Sequence, residues 1–495
     1  MERKDKQRQR QEMHDRGICV VIPTYNNERT IATVVAEVKE ECSDIIVVND
    51  GSTDSTPQIL NGIDGVTLIT STHNEGKGHA LRRGLLRAKE QGFHYAITID
   101  ADGQHFPNDI PRFVEANSRW PQAIILGSRR MEGVRQSRGS RFANRFSNFW
   151  FFVQTGRRLA DTQTGFRLYP LRRLKGIRWM TARYEAELLL LVLAAWSGVA
   201  IRTIDIPVFY PPQQQRVSHF RPGHDFARIS VLNTVLCILA IVYGWPRTLF
   251  RFLASAALTV YTALFFLASC AIITPAVWLY TKTGTMTEKK RQRLHLLIYR
   301  WMRFVVLRHG IPGVTFSCHR HEKADFKAPA VIIANHQSHL DLACQLIFTP
   351  NIVFLTNRRE WNHTLYGLLI RQAEFYPVTL GIDALLPRLR SLVQRGYSIG
   401  IYPEATRSED CRIGRFHKGA FHISEQLDLP VIPIYLYGPG QVLPKNDCLL
   451  RPGRIHVEVG KPISREQLTA MGDIRTQASL MRKHYEKKLW EFSVK

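Results

Sequence analysis

ICVVIPTYNNE (Ile18 to Glu28), DIIVVNDGSTDST (Asp44 to Thr56) and YAITIDADGQH (Tyr95 to His105) share one design, a short apolar run followed at once by polar and acidic residues. Such runs, bounded by turn-forming residues, read as strands buried on both faces. Helical stretches near Thr30 to Glu41, Thr56 to Leu60 and His79 to Glu90 alternate with them, and VTLITS supplies a further run. Strand, helix, strand in repetition argues for an α/β domain with a parallel, Rossmann-like sheet, whose ligand loops leave the carboxyl ends of the strands. The polar residues after each run are therefore the site candidates. AIILGS and a helical stretch over Tyr184 to Trp196 extend this domain, giving a charged extension over 1–17 and a first domain over 18–228.

The chain has 495 residues, more than a single core normally holds, so two or three domains are expected. Lys plus Arg number 67 against 42 Asp plus Glu, a net charge of +25 that favours a polyanionic partner. No zinc-finger, helix-turn-helix or RNA-binding signature accompanies that charge. An anionic membrane surface and phosphate substrates are expected rather than nucleic acid. The eight cysteines are scattered without CxxC pairs, as reduced thiols of a cytosolic compartment would be. The first seventeen residues hold no apolar core of a signal peptide, so the first domain is expected to start in the cytoplasm.

Between Ile229 and Tyr280 the composition turns apolar, first as ISVLNTVLCILAIVYGWP and then as FLASAALTVYTALFFLASCAIITPAVWLY, with Arg247 and Arg251 between. A spanning helix needs roughly 20 apolar residues, and the second stretch meets that length. Basic residues in the middle disfavour an outer loop there. The reading is an interfacial helix followed by a re-entrant hairpin, a membrane-embedded helical linker over 229–284. From Pro329 a second alternating pattern begins (AVIIANHQSH, NIVFLTN, SIGIYPEATRS, LPVIPIYLYG, IHVEVGKPI), a second α/β domain over 285–480 with a tail over 481–495.

Asp100 and Asp102 leave the strand YAITI at i and i+2 and can converge on a hard divalent cation, Mg or Mn, with Gln104 as a third oxygen. Glu28 and Asp50 can accept hydrogen bonds from a base or ribose. PTYNNE, NDGSTDST, NEGKGHALRRG (Asn74 to Gly84), DADGQH, GSR (Gly127 to Arg129) and DTQTGFR (Asp161 to Arg167) together resemble the family 2, GT-A glycosyltransferases, in the dolichyl-phosphate mannose synthase-like branch. That resemblance implies Pro23, Tyr25, Glu28 and Asp50 around a nucleotide sugar, Lys77 and Arg129 near it, and Asp100, Asp102 and Gln104 at the metal. Asp161 is read as a general base or as shaping the acceptor pocket, with Arg167 on phosphate. Of Glu185 and Glu187, at i and i+2 on a helix, at most one reaches the site. Arg216, in RVSHFRPG, resembles a mobile basic segment that meets the lipid acceptor.

ANHQSHLD (Ala334 to Asp341) places a histidine five residues before an aspartate. In a regular helix five residues turn through about 500°, so the side chains diverge by about 140°. His336 must therefore sit before the helix start for Asp341 to reach it, fix its tautomer and leave it as general base. YPEATRS (Tyr402 to Ser408) and an LPVIPI stretch follow. The three in order resemble the glycerolipid, lysophosphatidate-type HxxxxD acyltransferases. That resemblance implies a catalytic pair His336 and Asp341, acceptor contacts at Glu404, Arg407 and Lys418, and no cofactor. Two departures stand out. The family's PEGTR glycine is Ala405, mild only if φ there stays negative. The block aligned with AEFYPVTLG (Ala373 to Gly381) lacks the arginine that would hold an acceptor phosphate, which points to a glycolipid or other hydroxylated lipid as much as to lysophosphatidate.

The expectation is a bifunctional transferase at the inner (cytoplasmic) membrane with both catalytic domains facing the cytoplasm. It would pass a glycosyl group from a nucleotide sugar to a lipid acceptor, and an acyl group from acyl-ACP or acyl-CoA to a lipid hydroxyl. The domain order resembles the glycosyltransferase/acyltransferase fusions of aryl-polyene and flexirubin-type clusters. The alternatives are one active transferase with the other domain as a lipid-binding module, and a non-enzymatic membrane scaffold.

Overall fold

The computed structural model describes residues 2–129, 138–174, 181, 183, 185–209, 222–282 and 284–494. The chain forms two compact units, Met1–Phe250 and Arg251–Lys495. Both are α/β.

Among the described residues the first unit holds seven strands: β1 (Ile18–Thr24), β2 (Ile45–Asn49), β3 (Thr67–Thr70), β4 (Tyr95–Thr98), β5 (Ala123–Arg129), β6 (Arg167–Pro170) and β7 (Ala200–Ile206). Their order across the sheet is β3-β2-β1-β4-β6-β5-β7. β1, β2 and β4 are buried along their whole length, which is why they read as unbroken apolar runs. β3, β2, β1 and β4 are mutually parallel, whereas β6 runs antiparallel to both its neighbours. Four residues long and ended by Pro170, β6 carries no alternation from which a strand could be read. It matters because it lays the DTQTGFR loop beside the end of β4. The helix Lys77–Glu90 packs on this sheet through Gly84, where a Cβ would lie 2.3 Å from Val21 Cγ1. The charged extension is itself a helix, Glu2–Asp15. It docks on the helix Ile31–Glu41 through the ion pairs of Lys6 with Glu40 and Glu41 and the fully buried Met13.

The described residues of the second unit also form seven strands: β8 (Val314–Arg320), β9 (Val331–Ala334), β10 (Ile352–Thr356), β11 (Tyr376–Pro377), β12 (Ser398–Ile401), β13 (Val431–Tyr437) and β14 (Gly453–Val459). Their order is β11-β10-β12-β9-β13-β14-β8, with only the β13/β14 pair antiparallel. Of the segment set apart as a tail, residues 481–494 belong to the helix Ile474–Val494. Met481, Tyr485, Leu489 and Phe492 join the core, and the Tyr485 hydroxyl donates to the Ile333 carbonyl at 2.9 Å. Buried side chains of this size contribute about 1.5–3 kcal/mol each, so the segment is part of the fold.

The apolar linker differs from the expected hairpin. The helix Pro222–Leu239 passes through one π-turn, Ala240–Gly244, into the helix Trp245–Lys282 without reversing. Gly244 lets the Trp196 ring approach to where a Cβ would be 2.4 Å from the indole, so the glycine serves packing and not a chain reversal. The stretch Phe226–Lys282, 57 residues, is long and apolar enough to cross a membrane, and only 11% of its most apolar window is buried.

Candidate active sites

In the first unit the loops after β1, β2 and β4 meet at the carboxyl ends of the strands. Asn26, at φ 50°, donates its N–H to Ser52 Oγ at 2.9 Å, and its side-chain oxygen accepts from Thr53 N at 2.8 Å. These bonds join the loop of Tyr25 and Glu28 to the loop of Asp50. Glu28 is exposed and its Oε2 accepts from Ser55 N at 3.1 Å, while Pro23 is buried and Tyr25 half-buried. Asp50 is buried, with Oδ1 taking the Glu75 N–H at 3.0 Å and Oδ2 the Gly76 N–H at 2.7 Å. It therefore clamps the turn that launches the helix bearing Lys77. Gly51, at φ 68°, could not be replaced, since a Cβ would lie 2.3 Å from the His73 carbonyl carbon.

Lys77 Nζ lies 2.8 Å from Asp100 Oδ1 and 3.0 Å from Oδ2, and 3.3 Å from Glu187 Oε2. Of the two glutamates on the helix Glu185–Trp196, Glu187 is the one that reaches the cluster, while Glu185 faces Arg228 at 3.6 Å. Burial opposes charge on Asp100, but the Lys77 ammonium beside it, with Arg167, holds its carboxyl below the usual range. Burial, then the charge of Asp100, pushes Asp102 up. Asp102 Oδ1 accepts the Gln104 N–H at 3.0 Å, and the Gln104 carbonyl accepts from Phe209 N at 2.9 Å. His105 is buried against Phe166 and, among the described residues, has no partner for Nδ1; burial lowers it to about 4, so a neutral imidazole backs the cluster. Among the described residues no group of three or more His, Cys, Asp or Glu is arranged to hold a metal ion. Two carboxylates and an amide are hard oxygen donors that fit a divalent cation, and the ammonium between the Asp100 oxygens marks where positive charge is wanted.

Asp161 is fully buried and forms a two-point pair with Arg129, Nε to Oδ2 at 2.5 Å and Nη2 to Oδ1 at 2.9 Å, while Gln163 N donates to Oδ1 at 3.1 Å. Arg167 is a correction. Its guanidinium is fully buried and donates to the carbonyls of Thr164, Thr162 and Glu187 and to the Tyr169 hydroxyl, at 2.6 to 3.2 Å. It ties β6 to the helix Glu185–Trp196 and presents no donor to an acceptor phosphate. Arg216 lies outside the described residues.

In the second unit His336 stands in the loop between β9 and the helix Leu340–Leu346, and Asp341 in that helix's first turn. The offset required by helix geometry is thus met. His336 Nδ1 is 2.9 Å from Asp341 Oδ2, which also accepts the N–H groups of Gln337 at 2.6 Å and Ser338 at 2.8 Å. Asp341 is fully buried, while 21% of the His336 side chain is exposed. Tyr402 stacks on the imidazole, ring centroids 4.0 Å apart and 15° from parallel. With Nδ1 and one ring face committed, Nε2 is the nitrogen left for chemistry. Sequence reading passed over Tyr402, although an aromatic at the end of β12, the strand paired with β9, was a signal to follow.

Glu404 accepts the His336 N–H on Oε1 at 2.8 Å and the Gly414 N–H on Oε2 at 2.6 Å. Burial pushes its carboxyl up to about 7, partly offset by those two donors. One oxygen thus holds the main chain at His336 and the other the main chain at Gly414. Ser408 N donates to the His336 carbonyl at 2.8 Å, holding the Arg407 loop against the pair. Arg407 is half-buried, and Lys418 is exposed just before the helix Gly419–Gln426. Ala405 has φ 60°, so the condition for a mild replacement of glycine fails. In AEFYPVTLG, Glu374 accepts from Arg395 Nη2 at 2.7 Å, and the Arg388 guanidinium lies 5.5 Å from the Tyr376 ring centroid.

Residues 19–172 match the family model "Glycosyl transferase family 2" and residues 315–437 the model "Acyltransferase". An uncharacterized protein of Methanocaldococcus jannaschii is 31% identical over 205 residues, 40% of this chain and 84% of that protein. The UDP-N-acetylglucosamine–dolichyl-phosphate N-acetylglucosaminyltransferase of Methanococcus voltae is 29% identical over 221 residues, 40% of this chain and 88% of that protein. For the second unit, the chloroplastic 1-acyl-sn-glycerol-3-phosphate acyltransferase BAT2 of Brassica napus is 33% identical over 141 residues, 27% of this chain; the chain spans 41% of the length of that relative. Among solved structures, glucosyl-3-phosphoglycerate synthase of Mycobacterium tuberculosis with Mn²⁺, UDP and phosphoglyceric acid is 19% identical, covers 48% of this chain and 82% of that chain, and has a TM-score of 0.37.

Proposed function

Because the chain belongs to glycosyl transferase family 2 through residues 19–172 and carries an acyltransferase domain over residues 315–437, we propose that it is a bifunctional lipid transferase. One unit glycosylates a lipid-phosphate acceptor and the other acylates a lipid hydroxyl. The observation that carries this is that each unit gathers its charged residues at the carboxyl ends of adjacent parallel strands, β1, β2 and β4 in one and β9 and β12 in the other.

In the first unit an acceptor oxygen attacks the anomeric carbon as the bond to the nucleoside diphosphate breaks. Lys77 faces the charge that develops on the leaving group. Asp100, Asp102 and Gln104 would hold a divalent cation, Mg or Mn, whose chemistry is to neutralise that diphosphate. Asp161 has both carboxylate oxygens committed to Arg129, so it is not assigned as the base. A phosphate acceptor is already ionised and needs none, and the dolichyl-phosphate acceptor in the name of the Methanococcus relative supports the same class. A nucleotide sugar is the donor.

In the second unit His336 Nε2 takes the proton of an acceptor hydroxyl, and the oxygen attacks the thioester carbonyl of acyl-ACP or acyl-CoA. The C–S bond breaks and the proton passes to the departing thiolate. Asp341 holds the imidazole and stabilises its charged form. No cofactor is assigned to this step. Arg407 and Lys418 are proposed acceptor contacts, while Glu404 positions His336.

Membrane attachment is supported by the exposed apolar helix and by the aromatic face of the helix Arg138–Thr155, where Phe142 and Phe149 are 61% and 56% exposed and Phe146 meets Phe226 at 5.4 Å. Both donor classes are cytoplasmic, so both units are assigned to the cytoplasmic face of the inner membrane; reporter fusions placing the second unit outside would overturn this. The function is tested by mass spectrometry of lipids from cells carrying the wild type, Asp102→Ala or His336→Ala. The wild type is expected to add a sugar unit and an acyl chain, Asp102→Ala to lose the sugar, and His336→Ala to lose the acyl chain. Unchanged lipids in both variants would refute it.

A further inference from the structure

Lys77 occupies an unusual place for a residue that faces a substrate phosphate. Its ammonium is 2.8 and 3.0 Å from the two oxygens of Asp100 and 3.3 Å from Glu187, so it already neutralises one of the two carboxylates at which a divalent cation would bind. Asp100 is packed in place beside it. The carboxylate is lodged where a Cβ on Gly165 would be, 2.2 Å from Oδ2, and the Gly165 carbonyl is held by Thr98 Oγ1 at 2.8 Å. The backbone of Lys77 cannot slide either, because Asp50 clamps Glu75 N and Gly76 N immediately before it. What is left to move is the four-carbon stem of the lysine.

Resting on the reading of Asp100 and Asp102 as the cation site, we propose that Lys77 is a resident counter-ion that competes with the divalent cation for Asp100. It is drawn away when a nucleoside diphosphate arrives, so that cation and nucleotide bind together and not separately. Coordination and charge both agree. Among the described residues no third His, Cys, Asp or Glu joins the two aspartates, whereas Mg²⁺ and Mn²⁺ favour about six oxygens, so the protein leaves most of the shell to water or to diphosphate oxygens. The charges also balance only that way. A divalent cation and an ammonium about 5 Å apart repel strongly even at bulk-water screening, and the diphosphate is the new anion that lets both remain.

The test is Mn²⁺ titration of the full-length protein in detergent micelles, read by the electron paramagnetic resonance of free Mn²⁺, with no nucleotide present. Lys77→Met is expected to bind Mn²⁺ about tenfold more tightly than wild type, from the removed charge, and Lys77→Arg to stay at the wild-type value. With UDP, or GDP in parallel, the wild type is expected to tighten its hold on Mn²⁺ and Lys77→Met to gain far less. Should Lys77→Met fail to fold, Lys77→Gln carries the same expectation. The proposal is overturned if removing the charge leaves Mn²⁺ binding no tighter, or if neither nucleotide strengthens wild-type binding. If instead Lys77→Met gains affinity and adding Asp102→Asn does not abolish it, the assignment of the aspartates as the cation site is what fails.

Discussion

Gly165→Ala is a one-atom-scale perturbation that tests how the glycosyltransferase site is built. Gly165 has no positive φ, so alanine suits the backbone there. The added Cβ would sit 2.2 Å from Asp100 Oδ2 and 2.7 Å from its Cγ, against ordinary carbon contacts of about 3.5–4.0 Å. The loop cannot yield, since the Gly165 carbonyl accepts from Thr98 Oγ1 and the next carbonyl, of Phe166, accepts from Gly127 N at 2.9 Å. The Asp100 carboxylate must therefore withdraw by about 1 Å, and a misplacement of that size costs about 10²-fold in rate. The displaced atoms are the end of a side chain, so the cost to the fold stays at about 1 kcal/mol, the low end for overpacking. The assay measures glycosyl and acyl transfer on one preparation of full-length protein. Glycosyl transfer is expected to fall about 10²-fold, with acyl transfer and thermal midpoint close to wild type. Glycosyl transfer at the wild-type rate would refute the claim that Asp100 acts from its present position; loss of both activities would show that the damage is global.

Three further outcomes follow from the second unit. Asp341→Asn keeps the side chain's shape but cannot stabilise the imidazolium, so acyl transfer is expected to fall by about 10⁴-fold, as in other histidine–aspartate pairs, with glycosyl transfer as the unchanged control. Ala405→Gly removes a left-handed alanine that costs about 1–2 kcal/mol, offset in part by about 0.4–1 kcal/mol of unfolded-chain entropy; a small rise in the denaturant midpoint is expected, and a fall would mean that the methyl makes contacts the backbone does not reveal. Glu404 is pushed up from its ordinary 4.5 to about 7, so the folded unit holds a proton that the unfolded chain has lost. At about 1.4 kcal/mol per pH unit, its contribution to stability declines by about 3 kcal/mol as pH rises from 4.5 to 7 and is level above. The stability difference between wild type and Glu404→Gln, followed by hydrogen exchange in the β9 and β12 region, should fall over that window; a flat difference would contradict it.

By itself the sequence determined both α/β units and where their chemistry begins. Strand and helix periodicities are local, so ICVVIP, DIIVVN, YAITI and AVII announce buried strands, and the residues after them are carried to one end of a sheet. The spacing of His336 and Asp341 even dictated that the histidine precede the helix, as it does. Partnerships across long stretches of chain had no local signature. The short antiparallel β6 carries no period, yet it brings Gly165 against Asp100 and buries Arg167 among carbonyls, which is why a residue that read as a phosphate contact is a brace. Two arginine–aspartate or lysine–aspartate candidates look alike in one dimension. Only the fold decided that Arg129 goes to Asp161 and Lys77 to Asp100, because closure of chain loops, and not periodicity, sets which charges meet. The φ of Ala405 and the unbroken passage of the apolar helix through Gly244 were likewise settled by their surroundings, one by the two ends of a tight loop and the other by the indole of Trp196.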